Sequence, residues 1–325
     1  MSGIIEIHAQ GLHGTARMED AYVILGDPVP KDTDIRRLII DISEDSKRHN
    51  ALSYTTDLET AGFIFDRMTL RSSSLTNAGL NDPMEKDRVG VNRFAGSRFI
   101  TCFTQIEHEC VPFWIYYGKK DRPNKLLFQF RNFATCLEEC IFSDYALVEG
   151  KKCLFNSPQT GQIINSQWTD HSIQDEYDLR GIINTVQVFD VEYVSIDSAV
   201  FSEDHSGRAD IDFSKFSQSG NAVANMKVYD PTALGKQKSN PWDYEKETRI
   251  LCTLMSQDFS EWKYIDLRLK DEMFRDLKII LSPWDEGGLR EKLAGMIEKS
   301  SLSDEIKNTI EIYDSGLKGK LNFPE

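Results

Sequence analysis

The chain has 325 residues, 40% of them apolar and 10% aromatic, enough to bury a substantial core in one large domain or two modest ones and too apolar for a disordered tail. Its formal net charge of −14 excludes a general nucleic-acid coat, which gains affinity by releasing counterions at many Lys and Arg contacts, and leaves open only a small, specific contact. Residues 1–20 carry Glu6, Arg17, Glu19 and Asp20 without a signal-type apolar stretch, and no apolar run approaches the roughly 20 residues of a membrane span, so the expected location is cytoplasmic, with no membrane partner.

Residues 1–50 have their own texture: a Pro28-Val29-Pro30 stretch, a strand-like segment at Arg37 to Asp41, and a charged run from Glu44 to His49. They read as an N-terminal extension. From Ala51 the pattern turns regular, with a short strand at Leu52 to Thr55 and a helix begun by Asp57 that carries Leu58, Ala61, Phe65 and Met68 on one face. A strand at Thr69 to Arg71 and a polar turn over Ser72 to Pro83 follow. Strands are predicted at Arg98 to Thr104 and Lys125 to Phe130, on either side of an aromatic segment from Val111 to Tyr117.

Residues 202–225 are rich in Ser, Asp and Gly and read as a flexible insert. The last third gives a turn at Ser239 to Pro241, strands at Thr248 to Met255 and Leu277 to Ser282, a helix at Leu289 to Lys299, and a final strand at Thr309 to Tyr313. The pattern is α+β: mixed, largely antiparallel sheets with flanking helices, and without the strict alternation of a Rossmann sheet. Six cysteines without C-x-x-C spacing read as reduced thiols, and Cys102, His108 and Cys110 lack the further ligands of a zinc site, so no metal is expected. Phosphate-binding loops, dinucleotide glycine motifs, zinc-protease helices and nucleophile elbows are likewise absent from the sequence.

Four segments stand out in order: Ser53-Tyr54-Thr55, Asn81-Asp82-Pro83-Met84-Glu85, Trp114-Ile115-Tyr116-Tyr117-Gly118, and Trp242-Asp243-Tyr244-Glu245-Lys246-Glu247-Thr248-Arg249, with Leu281-Ser282-Pro283 after them. Together they resemble the Y-T, N-D-P-x-E, W-x-x-Y-G and W-x-Y-E-x-E-x-R signature of a bacterial family of unassigned function. The resemblance covers residues 51–325, which would form one domain. That family in turn resembles ADP-ribosyltransferases, which implies a fold of that type, NAD as the substrate, a macromolecular acceptor (protein, RNA or DNA), and a setting as a toxin or anti-phage effector with a neutralising partner.

The residues allow this chemistry to be phrased physically. Breaking the bond between nicotinamide and ribose creates an oxocarbenium-like sugar, which a carboxylate stabilises. Glu245 and Glu247, two apart before an apolar strand, point the same way and are the catalytic candidates, with Glu247 meeting the sugar and Glu245 orienting the acceptor. The cofactor-binding candidates are Ser53, Tyr54 and Thr55 on the first strand, Arg71 for the diphosphate, and Trp114, Tyr117, Trp242 and Tyr244 for ring stacking. Ser53 stands where such transferases often place a histidine. Leu12-His13-Gly14-Thr15 resembles the His-Gly-Thr opening of several ADP-ribosylating toxins, but lacks the strand, helix and strand that follow Tyr54. Asp82 is expected to cap a helix opened by Pro83. Three other readings stay open: surface ion pairs for Glu245, Lys246, Glu247 and Arg249, a nucleotide-sensing module without turnover, and a metal-dependent nuclease using Asp82, Glu85, Glu245 and Glu247.

Overall fold

A computed structural model describes residues 3–9, 12–19, 22–25, 40–91, 95–117, 122–140, 145–154, 181–195, 209–212, 222–228, 234–256 and 262–321. The strands in chain order begin with β1 (Gly3–Ala9), β2 (Leu12–Glu19), β3 (Tyr22–Leu25), β4 (Ile40–Ile42), β5 (Ala51–Asp57) and β6 (Thr69–Ser74). They continue through β7 (Arg98–Thr104), β8 (Lys125–Arg131), β9 (Tyr145–Val148), β10 (Lys151–Leu154), β11 (Gly181–Asp190), β12 (Glu192–Val194) and β13 (Ala209–Asp212). The last are β14 (Ala222–Val228), β15 (Gln237–Ser239), β16 (Glu247–Ser256), β17 (Tyr264–Arg268), β18 (Lys278–Leu281) and β19 (Glu311–Tyr313). Helices are α1 (Leu58–Arg67), α2 (Pro83–Val91), α3 (Val111–Tyr116), α4 (Phe133–Cys140), α5 (Leu289–Lys299) and α6 (Asp304–Lys307).

The architecture is α+β with a mixed, mostly antiparallel sheet and few helices. Twelve strands form the main sheet, and its organising strand is β7. One edge of β7 pairs with β16 from Arg98 to Thr104, while its other edge is shared: β6 pairs near Phe99 and Ile100, and β5 at Thr104. Two branches of sheet therefore leave one edge of a single strand. β5 continues through β8, β18 and β19, and β6 continues through β17, β9 and β10. Helix α1 joins the branches: the Asp57 carboxylate caps it by accepting from the Thr60 N–H at 2.8 Å, and Met68 ends it in the left-handed region at φ 51°. Its apolar face, Ala61, Ile64 and Phe65, packs into a core where Phe65, Phe128, Phe130, Phe133 and Phe274 are all buried.

The two segments set apart in the sequence pair with each other. β1, β2 and β3 form a meander, and β1 pairs in parallel with β14 (Ile5 opposite Ala222, Ile7 opposite Ala224) to give the five-stranded order β13-β14-β1-β2-β3. Parts of both the expected N-terminal extension and the expected flexible insert are thus strands of one sheet, and β4, also within residues 1–50, pairs with β11 of the main sheet. Ser72, Ser73 and Ser74, expected in a turn, are the end of β6 and pair with β17 and β7. Among the described residues no helix is long and apolar enough to cross a membrane.

Candidate functional site

The site forms where β7 and β16 end together. Residues 240–245 make a turn of 3-10 helix, and Lys246 follows in the left-handed region at φ 45° before β16 begins at Glu247. The turn is pinned to the end of β7: Thr104 Oγ1 donates to the Glu245 carbonyl at 2.5 Å, and the Gln105 N–H donates to the Lys246 carbonyl at 2.9 Å. Glu245 and Glu247 do come together, but the reason differs from the expected strand alternation, because only Glu247 lies in the strand and the reversal at Lys246 brings the two carboxylates side by side. The Glu247 N–H is received by the Tyr193 hydroxyl at 2.8 Å.

Neither glutamate is at a solvated strand edge. Relative exposure is 2% for Glu245, 5% for Glu247 and 1% for Arg249, which overturns the surface ion-pair reading. Arg249 donates to Glu247 through Nε (2.8 Å) and Nη2 (3.0 Å), to Glu85 through both terminal nitrogens, and to the Gly235 carbonyl (2.8 Å), so its fork is filled. Lys238 donates to Glu245 Oε2 and, at 3.2 Å, to Glu247 Oε2, with Trp242 covering its ammonium 5.2 Å from the ring centre. Asp82 caps α2 by accepting from the Met84 N–H at 3.0 Å, and its other oxygen accepts from the Ser239 N–H at 2.7 Å. The N-D-P-x-E and W-x-Y-E-x-E-x-R segments, about 160 residues apart, are thereby locked into one buried network.

The two glutamates are driven to opposite protonation states. Burial pulls Glu247 upward, but the Arg249 and Lys238 charges and their hydrogen bonds outweigh it and hold Glu247 down at about 2. Burial pushes Glu245 up to about 8, and the neighbouring Glu247 charge adds to the rise. Beside them the Cys102 thiol donates to Glu247; burial holds that thiol well above its ordinary range, so it is no thiolate nucleophile.

Glu245 and Glu247 line a cleft of about 50 Å³ with Ser53 and Thr55 of β5, Cys102, Phe103 and Thr104 of β7, and Phe113 and Tyr117 at α3. Two buried polar atoms of these lining residues have no hydrogen-bond partner: Glu245 Oε1 and the Tyr117 hydroxyl. Of the residues singled out in the sequence, Ser53, Thr55, Tyr117, Glu245 and Glu247 meet here. The others do not line the cleft. Tyr54, between Ser53 and Thr55, turns to the opposite face and packs on Phe103 with ring centres 5.4 Å apart, as strand alternation requires. Arg71 already spends its planar fork on Asp266 at 2.7 and 2.8 Å while lying over the Tyr264 ring. Trp114 is 1% exposed and belongs to the core; Trp242 and the 37% exposed Tyr244 form a pair above Lys238, ring centres 6.1 Å apart. His13 falls within β2, where the backbone alone is described.

Sequence reasoning missed Lys238, Tyr193 and Thr104, and gave Arg249 no role beyond a surface pair. The available signal was Arg249 itself, directly before the apolar run from Ile250 to Leu254: a cation entering a buried strand needs buried anions. Among the described residues no group of three His, Cys, Asp or Glu side chains is arranged to hold a metal ion. No protein-family model, curated protein or solved structure matches this chain.

Proposed function

We propose that the chain is an NAD-dependent ADP-ribosyltransferase of α+β, split-sheet type, acting on a macromolecular acceptor (protein, RNA or DNA). The observation that carries this reading is the Glu245 carboxylate, 2% exposed, with Oε1 unpartnered on a cleft that Tyr117, its hydroxyl likewise unpartnered, also lines and that is assembled from three of the four motif segments. The motif resemblance to ADP-ribosyltransferases, drawn from the sequence, supports it.

Charge counting assigns the roles. Lys238 and Arg249 balance Glu85 and Glu247, so the net charge of these five residues rests on whether Glu245 holds a proton. With its pKa near 8, Glu245 supplies a negative charge on demand close to neutral pH, which is the condition for acid–base work. In the proposed reaction the C1′–N bond breaks, nicotinamide leaves with the electron pair, and the ionised Glu245 faces the oxocarbenium-like ribose. The acceptor's lone pair then bonds to C1′ and its proton passes to Glu245. Glu247, which the sequence pattern assigned to the sugar, is already held by Arg249 and Lys238; in this proposal it fixes the geometry and adds to the rise that burial gives the Glu245 pKa, and Glu245 takes the sugar-facing role. NAD is far larger than a cleft of about 50 Å³, so the wall carrying Phe113 and Tyr117 must swing outward on binding. A toxin or anti-phage setting, with a neutralising partner, fits an enzyme of this type.

That Glu247 is already saturated by Arg249 and Lys238 favours a second reading, a nucleotide-sensing module that binds without turnover. Purified protein incubated with labelled NAD and cell lysate separates the two. Transfer predicts nicotinamide release and labelled acceptor, both reduced by two or more orders of magnitude in Glu245→Gln. NAD binding without nicotinamide release establishes the sensor instead. Parent-level release from a folded Glu245→Gln protein rules out the assigned role.

A further inference from the structure

A second cavity, about 430 Å³, lies on the same branch of sheet but outside the carboxylate cluster. Its floor is built by alternation along two paired strands. On β8, Gln129 and Arg131 share a face; on β5, Ala51 lies opposite Arg131 and Ser53 opposite Gln129. Lys278 on β18 lies opposite Gln129 from the other side. Asn50, Asn132 and Glu107 complete the wall, and Ala51 is the one apolar residue lining it. The partition from the smaller cleft is a line of hydrogen bonds. Ser53 Oγ donates to the Ile106 carbonyl at 2.9 Å, and Gln129 Nε2 donates to the Glu107 carbonyl at 2.5 Å and to Ser53 Oγ at 3.3 Å.

The chemistry of the lining is selective. Lys278 makes no ion pair among the described residues, and Arg131 has only a loose, exposed one with Asp276 at 3.6 Å, which a doubly charged anion can displace at little cost. Two cations with amide donors suit a phosphate group. No aromatic ring lines the cavity, so a nucleobase would find no stacking surface. Side-chain amides and the Glu107 carboxylate instead suit hydroxyl groups, which donate and accept at once. The volume lies within the range of small-molecule sites.

We propose that this cavity binds a phosphorylated sugar, with Lys278 and Arg131 on the phosphate and Asn50, Asn132 and Glu107 on the sugar hydroxyls. The site does not depend on the transferase reading, since none of these residues belongs to the carboxylate cluster. Calorimetric titration of the full chain with ribose 5-phosphate, ribose, inorganic phosphate and AMP tests it. Ribose 5-phosphate binds saturably, ribose does not, and inorganic phosphate and AMP bind at least tenfold more weakly. Lys278→Gln and Arg131→Gln each weaken ribose 5-phosphate binding by tenfold or more, whereas Glu245→Gln leaves it unchanged. Circular dichroism confirms that each variant is folded; Arg131 is exposed and Lys278 half-buried, and Glu245→Gln keeps the volume of its buried side chain. Equal affinity for inorganic phosphate overturns the sugar assignment. An absence of saturable ribose 5-phosphate binding, or parent affinity in both cation variants, overturns the site.

Discussion

Arg249→Met removes the cation that two buried carboxylates share. The arginine makes five hydrogen bonds, to Glu247, Glu85 and the Gly235 carbonyl, and at 1% exposure no water can replace them. Truncating one partner of such a buried network costs roughly 3–5 kcal/mol, because the remaining charges stay desolvated. For a chain of this size that lowers Tm by about 4–7 °C. Chemical denaturation and thermal melts of the single variant measure the loss. The triple variant Glu85→Gln, Glu247→Gln, Arg249→Met removes the stranded charges and should recover more than half of it. A single variant within about 1 kcal/mol of the parent, or a triple variant no more stable than the single, would refute a charge network held by Arg249.

Two further outcomes follow from the same contacts. Glu245 is held above its ordinary 4.5 at about 8, so the folded protein binds more protons than the unfolded chain between those values, and stability falls as pH rises from about 4.5 to about 8. Glu247 is held at about 2, so its contribution is present above about 4.5 and is lost as pH falls toward 2. Melts across this range should show Glu245→Gln flattening the upper arm and Glu247→Gln the lower one; profiles parallel to the parent's contradict both assignments. Asp82→Ala deletes the α2 cap and strands the buried Ser239 N–H, an expected loss of roughly 2–4 kcal/mol by urea denaturation, with Asp82→Asn losing less.

Elements with strong local signals were legible. Asp57 opening α1, the limits of β7 and α5, and Pro83 opening α2 behind Asp82 follow from capping, alternation and helical period within a few residues of chain. What could not be read is who pairs with whom. The parallel contact of β1 with β14 links residues more than 200 positions apart, and nothing in either segment names the other. The site divides the same way. Ser53, Thr55 and Tyr117 reach the cleft because strand phase and the α3 end place them there, while Tyr54, one position out of phase, packs on Phe103 instead. Lys238 sits in an unremarkable Lys236-Gln237-Lys238 stretch, and its role is created by the parallel pairing of β15 with β12, which also brings Tyr193 to Glu247.

The network's composition argues against a purely structural purpose. A buried ion cluster seldom stabilises a fold better than apolar residues of the same volume would, so its retention calls for another benefit. Had stability been the sole demand, two carboxylates for two cations would have closed the cluster. A third, Glu245, is present; one oxygen is spent on Lys238, and the other lies partnerless in a cleft. Leaving that acceptor unpaired costs free energy in the isolated fold, and the cost is recovered only when a donor or a positive charge enters from the cleft. The burial of that oxygen, with the ionised Glu247 beside it, raises the Glu245 pKa to about 8. The arrangement that weakens the fold is therefore the one that makes the carboxylate responsive to a cationic or proton-bearing ligand.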